Sequence, residues 1–532
     1  MKKTIIFLVL LFGGVGFYFA QPFIFQEDLA SLTEEEILEQ LGNEGTAFVP
    51  HFREVEVDFV HKAGAKNQAF VGAGLFDVDG DGLEEVFVGG GEGQQDAILK
   101  YVNGEFVNLA DTWKFYSKDW SLGALTIDVD NDQDVDLLVA RLDDVYFYER
   151  LEGVFEEYPL NLQFDERAMP FDLAVADVNN DGNVDLFVST FIRPQFFKSA
   201  TFNDPSHVTE NALFLGDGEG GFEKVDSGID FAQNTFVSSF VDLDGDGVMD
   251  LVAATNTDRV KIYRGLGDGT FESAGEFGEY GFWMGLSAAD YDNDGDLDLF
   301  FSNIGNTIPE NVGRGDLLAD QVLDPEWALW RNDGDFQFVN VNAEAGVAGY
   351  EFAWGGHFAD MNMDGREDLI VVENYVKWPA HRLNKLDGRF LLQNEEGVLV
   401  PVINMTGAEN PYYGMTPLVS DFSGDGYPDL IYINLDGPVR AFVNEGGENN
   451  YLTVRMGDDV RSLGAKVTVV SNAGTWSKWV VAGTGLLSDQ SADLNFGLGK
   501  ATVVQSVKIQ YLDGEVVEFE EVEINSTIDA RN

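Results

Sequence analysis

A nine-residue acidic pattern, repeated seven times, constrains this chain more than any other feature. DVDGDGLEE begins at Asp77, and six variants follow: DVDNDQDVD at Asp128, DVNNDGNVD at Asp177, DLDGDGVMD at Asp242, DYDNDGDLD at Asp290, DMNMDGRED at Asp360 and DFSGDGYPD at Asp421. Successive starts lie 51, 49, 65, 48, 70 and 61 residues apart. Periods of this length mark repeat architectures, in which one unit buries its apolar face only against the next.

The flanks of the pattern repeat as well. Short apolar runs precede it, and β-rich runs such as VFVGG, LLVAR, LFFSN and LIYIN follow it. Gly72, Gly123, Gly285 and Gly355 each stand five residues before the first Asp. Between copies lie strand pairs with turn signals, as in LFLGDGEGGFEKV (213–225) and LWRNDGDFQFVNV (329–341). Each repeat therefore supplies about four strands. Tandem four-stranded units point to a closed ring, because closure protects the sheet edges. The predicted fold is all-β: a seven-bladed β-propeller over residues 51–447, then a small β-sandwich over 448–532. A straight β-solenoid is the structural rival.

Calcium takes six to eight hard oxygens at about 2.3–2.6 Å, and a tight loop can offer them from alternate positions. Positions 1, 3 and 5 would give side-chain oxygens, position 7 a backbone carbonyl, and position 9 a carboxylate able to chelate through both oxygens. The candidate ligands are Asp77, Asp79, Asp81, Leu83 and Glu85 in the first loop, and Asp128, Asp130, Asp132, Asp134 and Asp136 in the second. The third offers Asp177, Asn179, Asp181, Asn183 and Asp185; the fourth, Asp242, Asp244, Asp246, Val248 and Asp250. The fifth offers Asp290, Asp292, Asp294, Asp296 and Asp298; the sixth, Asp360, Asn362, Asp364, Arg366 and Asp368; the seventh, Asp421, Ser423, Asp425, Tyr427 and Asp429. Leu83, Val248, Arg366 and Tyr427 enter only through their carbonyls. An EF-hand would need Glu at position 12 between helices. Position 12 here is Val88, Val139, Val188, Ala253, Phe301, Val371 or Tyr432, with strands on both sides. Good turn chemistry explains one Asp-Gly, but not an acid at positions 1 and 9 of every copy.

The copies are unequal. Asn179, Asn362 and Ser423 replace the position-3 acid, and Gln133 replaces the position-6 glycine of the second loop. The Asp421 loop is expected to bind most weakly, and the Asp128 turn to be strained or altered. With dissociation constants near ~0.1 mM, millimolar calcium would stabilise the fold by about 1.4 kcal/mol per site.

The net charge of −61 repels phosphate backbones and argues against nucleic acid as a partner. Seven divalent ions reduce it only to −47, and a saline habitat would account for the remainder. There are no cysteines, which excludes disulfides, thiolate zinc and a thiol nucleophile. Lys2 and Lys3 precede an apolar run, Thr4–Ala20, that reads as an export signal within residues 1–22. Tyr18 at −3 makes cleavage after Ala20 poor, so an uncleaved anchor stays open. Residues 23–50 read as a linker with a short helix in SLTEEEILEQL, capped by Thr33 and Glu36 and stopped by Gly42. The chain is expected to be periplasmic, secreted or at the cell surface.

The repeats resemble the FG-GAP (VCBS-type) repeats of integrin α-subunit propellers, closest in FVGAGLFDVDGDG (70–82) and FAWGGHFADMNMDG (352–365). The tail is similar to the ASPIC/UnbV domain of the cartilage acidic protein-like family, through Gly464–Val467, Gly483–Ser488 and Phe496–Gly499. Leu486 sits where relatives often carry an aromatic residue. By alternation the tail itself reads as five or six short strands. The resemblance implies an extracellular, calcium-binding, adhesive or matrix-type protein.

Two function classes stay open. One is a scaffold binding extracytoplasmic protein or polysaccharide; the other is a polysaccharide lyase or hydrolase on a calcium-loaded propeller. An enzyme needs catalytic groups converging away from the acidic loops. His51, His61, His207, His357 and His381 show no metal-ligand spacing, and no GxSxG, P-loop or dinucleotide motif stands in the right context. His357, on a predicted innermost strand, reads as a structural histidine facing the channel. Arg314-Gly315-Asp316 is a three-residue string and weak evidence for integrin binding. Phe191, Phe196, Phe197, Phe202 and Trp327 would form either a ligand surface or a hydrophobic cap on the rim.

Overall fold

The computed structural model describes residues 32–42, 48–64, 70–151, 153–196, 208–229, 231–304, 317, 321–350, 352–374 and 387–531. The export segment, Arg314-Gly315-Asp316, His207, His381, Phe197 and Phe202 lie outside the described residues.

Each acidic loop joins the first and second strands of one repeat, and position 9 is the first residue of the second strand in all seven copies. The first repeat is a four-stranded antiparallel sheet, Ala73–Phe76, Glu85–Val88, Ala97–Val102 and Glu105–Asn108. The second, third and sixth repeats have the same order. The fourth and fifth share a six-stranded sheet, because Asp250–Gly265 and Phe271–Ala289 form one long hairpin that serves both. Its register breaks at Asn256, Asp258 and Val260, where the chain passes from inner to outer pairing.

The last repeat supplies three strands of its own: Gly414–Ser420, Asp429–Asn434 and Arg440–Asn444. Its fourth is the N-terminal strand Phe52–Val55, paired antiparallel from Phe52↔Asn444 to Val55↔Ala441. The first strand among the described residues thus completes the last repeat and ties the two ends of the ring together.

The glycine column of the sequence marks where inner strands nearly touch. A Cβ on Gly123 would stand 2.4 Å from the Phe171 carbonyl oxygen, and one on Gly355 would stand 2.6 Å from that of Met415. Aromatic side chains from separate repeats meet beside them: Phe70–Phe171 at 4.7 Å, Phe171–Phe236 at 5.2 Å and Phe70–Trp354 at 5.9 Å. Side chains from four repeats can share one cluster only on the ring axis. Phe191 and Trp327 are buried in two separate apolar clusters and offer no ligand surface; Phe196 is exposed. The helix Glu34–Leu41 carries its full capping box on Thr33 and Glu36 and buries Ile37 and Leu41 against strand Leu399–Pro401.

The tail forms seven strands rather than five or six. Leu494–Gly499, Asn450–Arg455 and Ser526–Asp529 make one sheet; Thr475–Trp479, Lys466–Ser471, Val504–Gln510 and Val516–Val522 make the other. Apolar residues of both sheets, including Leu452, Val467, Phe496 and Val507, share one buried cluster. This unit sits over the acidic-loop end of the ring. Arg455 donates to the Gly82 carbonyl at 2.5 Å, Asp128 N–H to the Asp458 carbonyl at 2.6 Å, and Gly499 N–H to the Met363 carbonyl at 3.0 Å.

From this unit, residues Gly483–Gln490 reach into the ring axis. Gly485 exchanges two backbone hydrogen bonds with Leu286, and Ala73 pairs with Leu487 and Asp489. Asp489 accepts from the Thr126 amide and hydroxyl at 2.9 and 3.0 Å, and Gln490 donates to the Pro417 carbonyl at 2.9 Å. Leu486 and Leu487 are buried in the same apolar cluster as Phe171, Phe236 and Trp354. Among the described residues the axis is therefore filled from both ends. No helix among them is long and apolar enough to cross a membrane.

Candidate metal centres in the acidic loops

Each loop is wound around its first carboxylate. In all seven, position 1 accepts the N–H of position 6: Asp77 from Gly82 at 2.8 Å, Asp128 from Gln133 at 3.0 Å, Asp177 from Gly182 at 2.9 Å, and likewise Asp242, Asp290, Asp360 and Asp421. Position 5 accepts the N–H of position 7, as Asp81 does from Leu83 at 3.0 Å and Asp246 from Val248 at 3.0 Å. The position-9 carboxylate joins loop to sheet. Asp250 accepts Leu243 N–H with one oxygen and Gly265 N–H with the other, both at 3.0 Å; Asp136, Asp185, Asp298 and Asp368 bridge in the same way. A carboxylate oxygen that accepts one N–H keeps a second lone pair, so this stapling leaves room for a cation.

The tight turn requires positive φ at two places. Position 6 has φ near 85° at Gly82, 86° at Gly247 and 89° at Gly365, and Gln133 takes the same conformation at 73°. The second loop therefore keeps the turn and carries the strain of a side chain there. Position 4 also has positive φ in every copy, from 56° at Met363 to 73° at Gly80. The sequence carries a signal for it, since Gly or Asn, the residues that tolerate this region, fills position 4 in six copies.

Carboxylate oxygens converge within 4.8 Å of one another in four loops: Asp77, Asp79 and Glu85; Asp128, Asp130 and Asp136; Asp242, Asp244 and Asp246; Asp290, Asp292 and Asp294. These are the four loops with an acid at position 3. The buried oxygens Asp130 Oδ1 and Asp290 Oδ1 have no hydrogen-bond partner. Burial raises the carboxyls first, and neighbouring acids add to it: Glu85, Asp250 and Asp290 reach about 7, and Asp136 and Asp298 about 8. Hard anionic oxygens, two of them orphaned, fit a calcium ion and do not fit a soft metal.

The remaining loops differ. The third keeps Asp177, Asp181 and Asp185, with Asn179 amide-bonded to Asp181 at 3.0 Å. The sixth is enclosed: Asp360, Asn362, Asp364 and Asp368 are buried, and Arg366 bonds Asp364 at 2.5 Å. In the seventh, Ser423 stands between Asp421 and Asp429, donating its hydroxyl to one at 3.4 Å and its amide to the other at 2.9 Å.

His357 lines a cavity of about 110 Å³ between ring and tail, with Asp290, Asp360, Lys478 and Gln490. Its Nδ1 has no protein partner, and burial pushes the imidazole down to about 3, so the ring is neutral. His61 Nδ1 accepts the Asp436 N–H at 3.0 Å, a structural role, and His51 is exposed.

Residues 77–139, 128–188 and 242–301 match the FG-GAP-like repeat family, and residues 458–532 match the ASPIC and UnbV family. The chain is 23% identical to cartilage acidic protein 1 of Xenopus tropicalis, over 86% of this chain and 73% of that one. It is 26% identical to the Homo sapiens protein of the same name, over 48% and 37% of the two chains. Among solved structures, the BP39L lectin of Burkholderia pseudomallei is similar at a TM-score of 0.43 and 10% identity, covering 72% of this chain and 98% of that one. The chain thus joins FG-GAP-like repeats to a C-terminal ASPIC and UnbV domain, and is a relative of cartilage acidic protein 1.

Proposed function

We propose that this protein is an exported calcium-binding scaffold, a seven-bladed ring stiffened by ions in its acidic loops, that binds protein or polysaccharide partners outside the cytoplasm. The observation carrying the reading is the convergence of three carboxylates in each of four loops, with Asp130 Oδ1 and Asp290 Oδ1 buried and unpartnered. Positions 1, 3, 5 and 9 would hold the ion through side chains, and position 7 through its carbonyl. The bound ion supplies positive charge that lets these acids ionise together; the chain supplies the wound loop and the stapled second strand. Export is supported by Lys2, Lys3 and the apolar run after them.

A binding role suits a ring whose axis is packed with Phe171, Phe236, Trp354, Leu486 and Leu487. Ligands of such a body meet its rim and faces. The test is elemental analysis of purified protein and melting with and without a chelator. Bound calcium and a clear fall in melting temperature on its removal are expected; no calcium and no fall would overturn the metal assignment. Turnover of a polysaccharide by the purified chain would overturn the binding-only reading.

A further inference from the structure

The loops with an acid at position 3 share a second feature. The third strand of each of these repeats carries a base near its loop end: Lys100, Arg264 and Arg331 at one register position, and Arg150 one residue farther on, beyond Glu149, which holds that position in the second repeat. Where position 3 is Asn or Ser, the residues registered with Lys100 and Arg331 are Leu215, Leu392 and Val443.

The bases enter the loops to different depths. Lys100 Nζ lies 2.7 Å from Asp79, 2.8 Å from Asp81 and 2.6 Å from Glu85. Arg264 Nη2 lies 2.9 Å from Asp244 and 2.6 Å from Asp246. Arg331 grips Asp333 at 2.7 Å and stands 3.9 Å from Asp292, while Arg150 bonds Asp134 at 2.7 Å. In the first and fourth loops, then, a base holds positions 3 and 5, the oxygens a divalent ion also needs.

We propose that Lys100 and Arg264 are tethered cations that compete with calcium for the first and fourth loops. This rests on the calcium reading above. A monovalent and a divalent cation cannot share the same oxygens a few ångströms apart without strong repulsion. The ion enters as the base swings out, so these loops trade an internal charge for an external one as calcium rises. Counting carboxylates alone ranks them among the tightest; with the base they fill later than that count implies. The third loop, with Leu215 in the corresponding place, has no such competitor.

The experiment uses the full chain, melted in metal-free buffer and in millimolar calcium, with calorimetric calcium titration. Lys100→Met is expected to melt lower than wild type without metal, to gain more on calcium addition, and to raise the affinity of one site about tenfold. Arg264→Met, at a more exposed side chain, should do the same. Leu215→Lys should weaken one site. Equal losses of melting temperature in both buffers, with unchanged titrations, would make the bases plain salt bridges and overturn the proposal. A wild type indifferent to calcium would overturn both this and the calcium reading.

Discussion

A buried carboxyl raised to about 7 or 8 takes its proton more tightly in the folded chain than in the unfolded one, as Asp136, Asp250 and Asp298 do because burial disfavours their charge. Their contribution to stability is present below the unfolded value near 4 and is lost as pH rises towards 8. Metal-free protein should therefore melt at progressively lower temperature from pH 5 to pH 8. Calcium binds the ionised form, so saturating calcium should flatten or reverse that slope. Melting curves at both pH values, with metal removed on a resin, check this; a metal-free midpoint rising with pH would contradict it. At this scale the alternation along the sequence pointed to the loops in which carboxylate oxygens do converge, those with an acid at position 3. It did not show that positions 1, 5 and 9 also hold the backbone together. Nor did it show that Asn131, Asn293 and Met363 complete the turn at positive φ. Those roles depend on hydrogen bonds between neighbours in space, which spacing along the chain does not display.

Strands were legible where alternation and turn residues agreed, and the four-strand unit followed from them. The closing strand was not. FREV, residues 52–55, is four residues long with apolar groups at each end, and its partner Arg440–Asn444 lies almost the whole ring away in sequence. Nothing local marks it as the fourth strand of the last repeat. The glycines five residues before four of the loops were visible without a reason, and the inner-strand approach supplies one. Gly123→Ala should force a Cβ to 2.4 Å from the Phe171 carbonyl oxygen, a fixed backbone atom. We expect a loss of about 2–4 kcal/mol in chemical denaturation, since overpacking against backbone cannot relax through a side chain. Gly80→Ala is the matched control. It has open space and the same residue change, and its strain comes only from positive φ, so about 1 kcal/mol is expected.

The whole molecule departs most from what its sequence conveys. GTGLLSDQ identified the tail by resemblance, yet its position in the ring axis could not be read from it, because a Leu-Leu pair preceded by Gly483 and Gly485 is equally at home in a turn of its own domain. In the fold, Leu486 and Leu487 belong to the ring's core, while Asp489 and Gln490 satisfy inner-strand donors and acceptors in the second and seventh repeats. The tail is therefore held by burial on the axis as well as by Arg455, Lys466 and Lys478 at the loops. The loop contacts are partly exposed and polar, so each adds little; the axial leucines bear the larger share. Leu486→Asp places an unpaired carboxylate in that core at a cost of several kcal/mol, while Leu486→Ala removes only packing, about 2–5 kcal/mol. If the axial segment couples the two bodies, scanning calorimetry of the calcium-loaded chain should change from one cooperative transition in wild type to two in Leu486→Asp. Leu486→Ala should broaden or lower the single transition. A single sharp transition in Leu486→Asp, merely shifted down, would assign the coupling to the loop-face contacts instead, and paired removal of Arg455 and Lys478 would then be the variant that splits it.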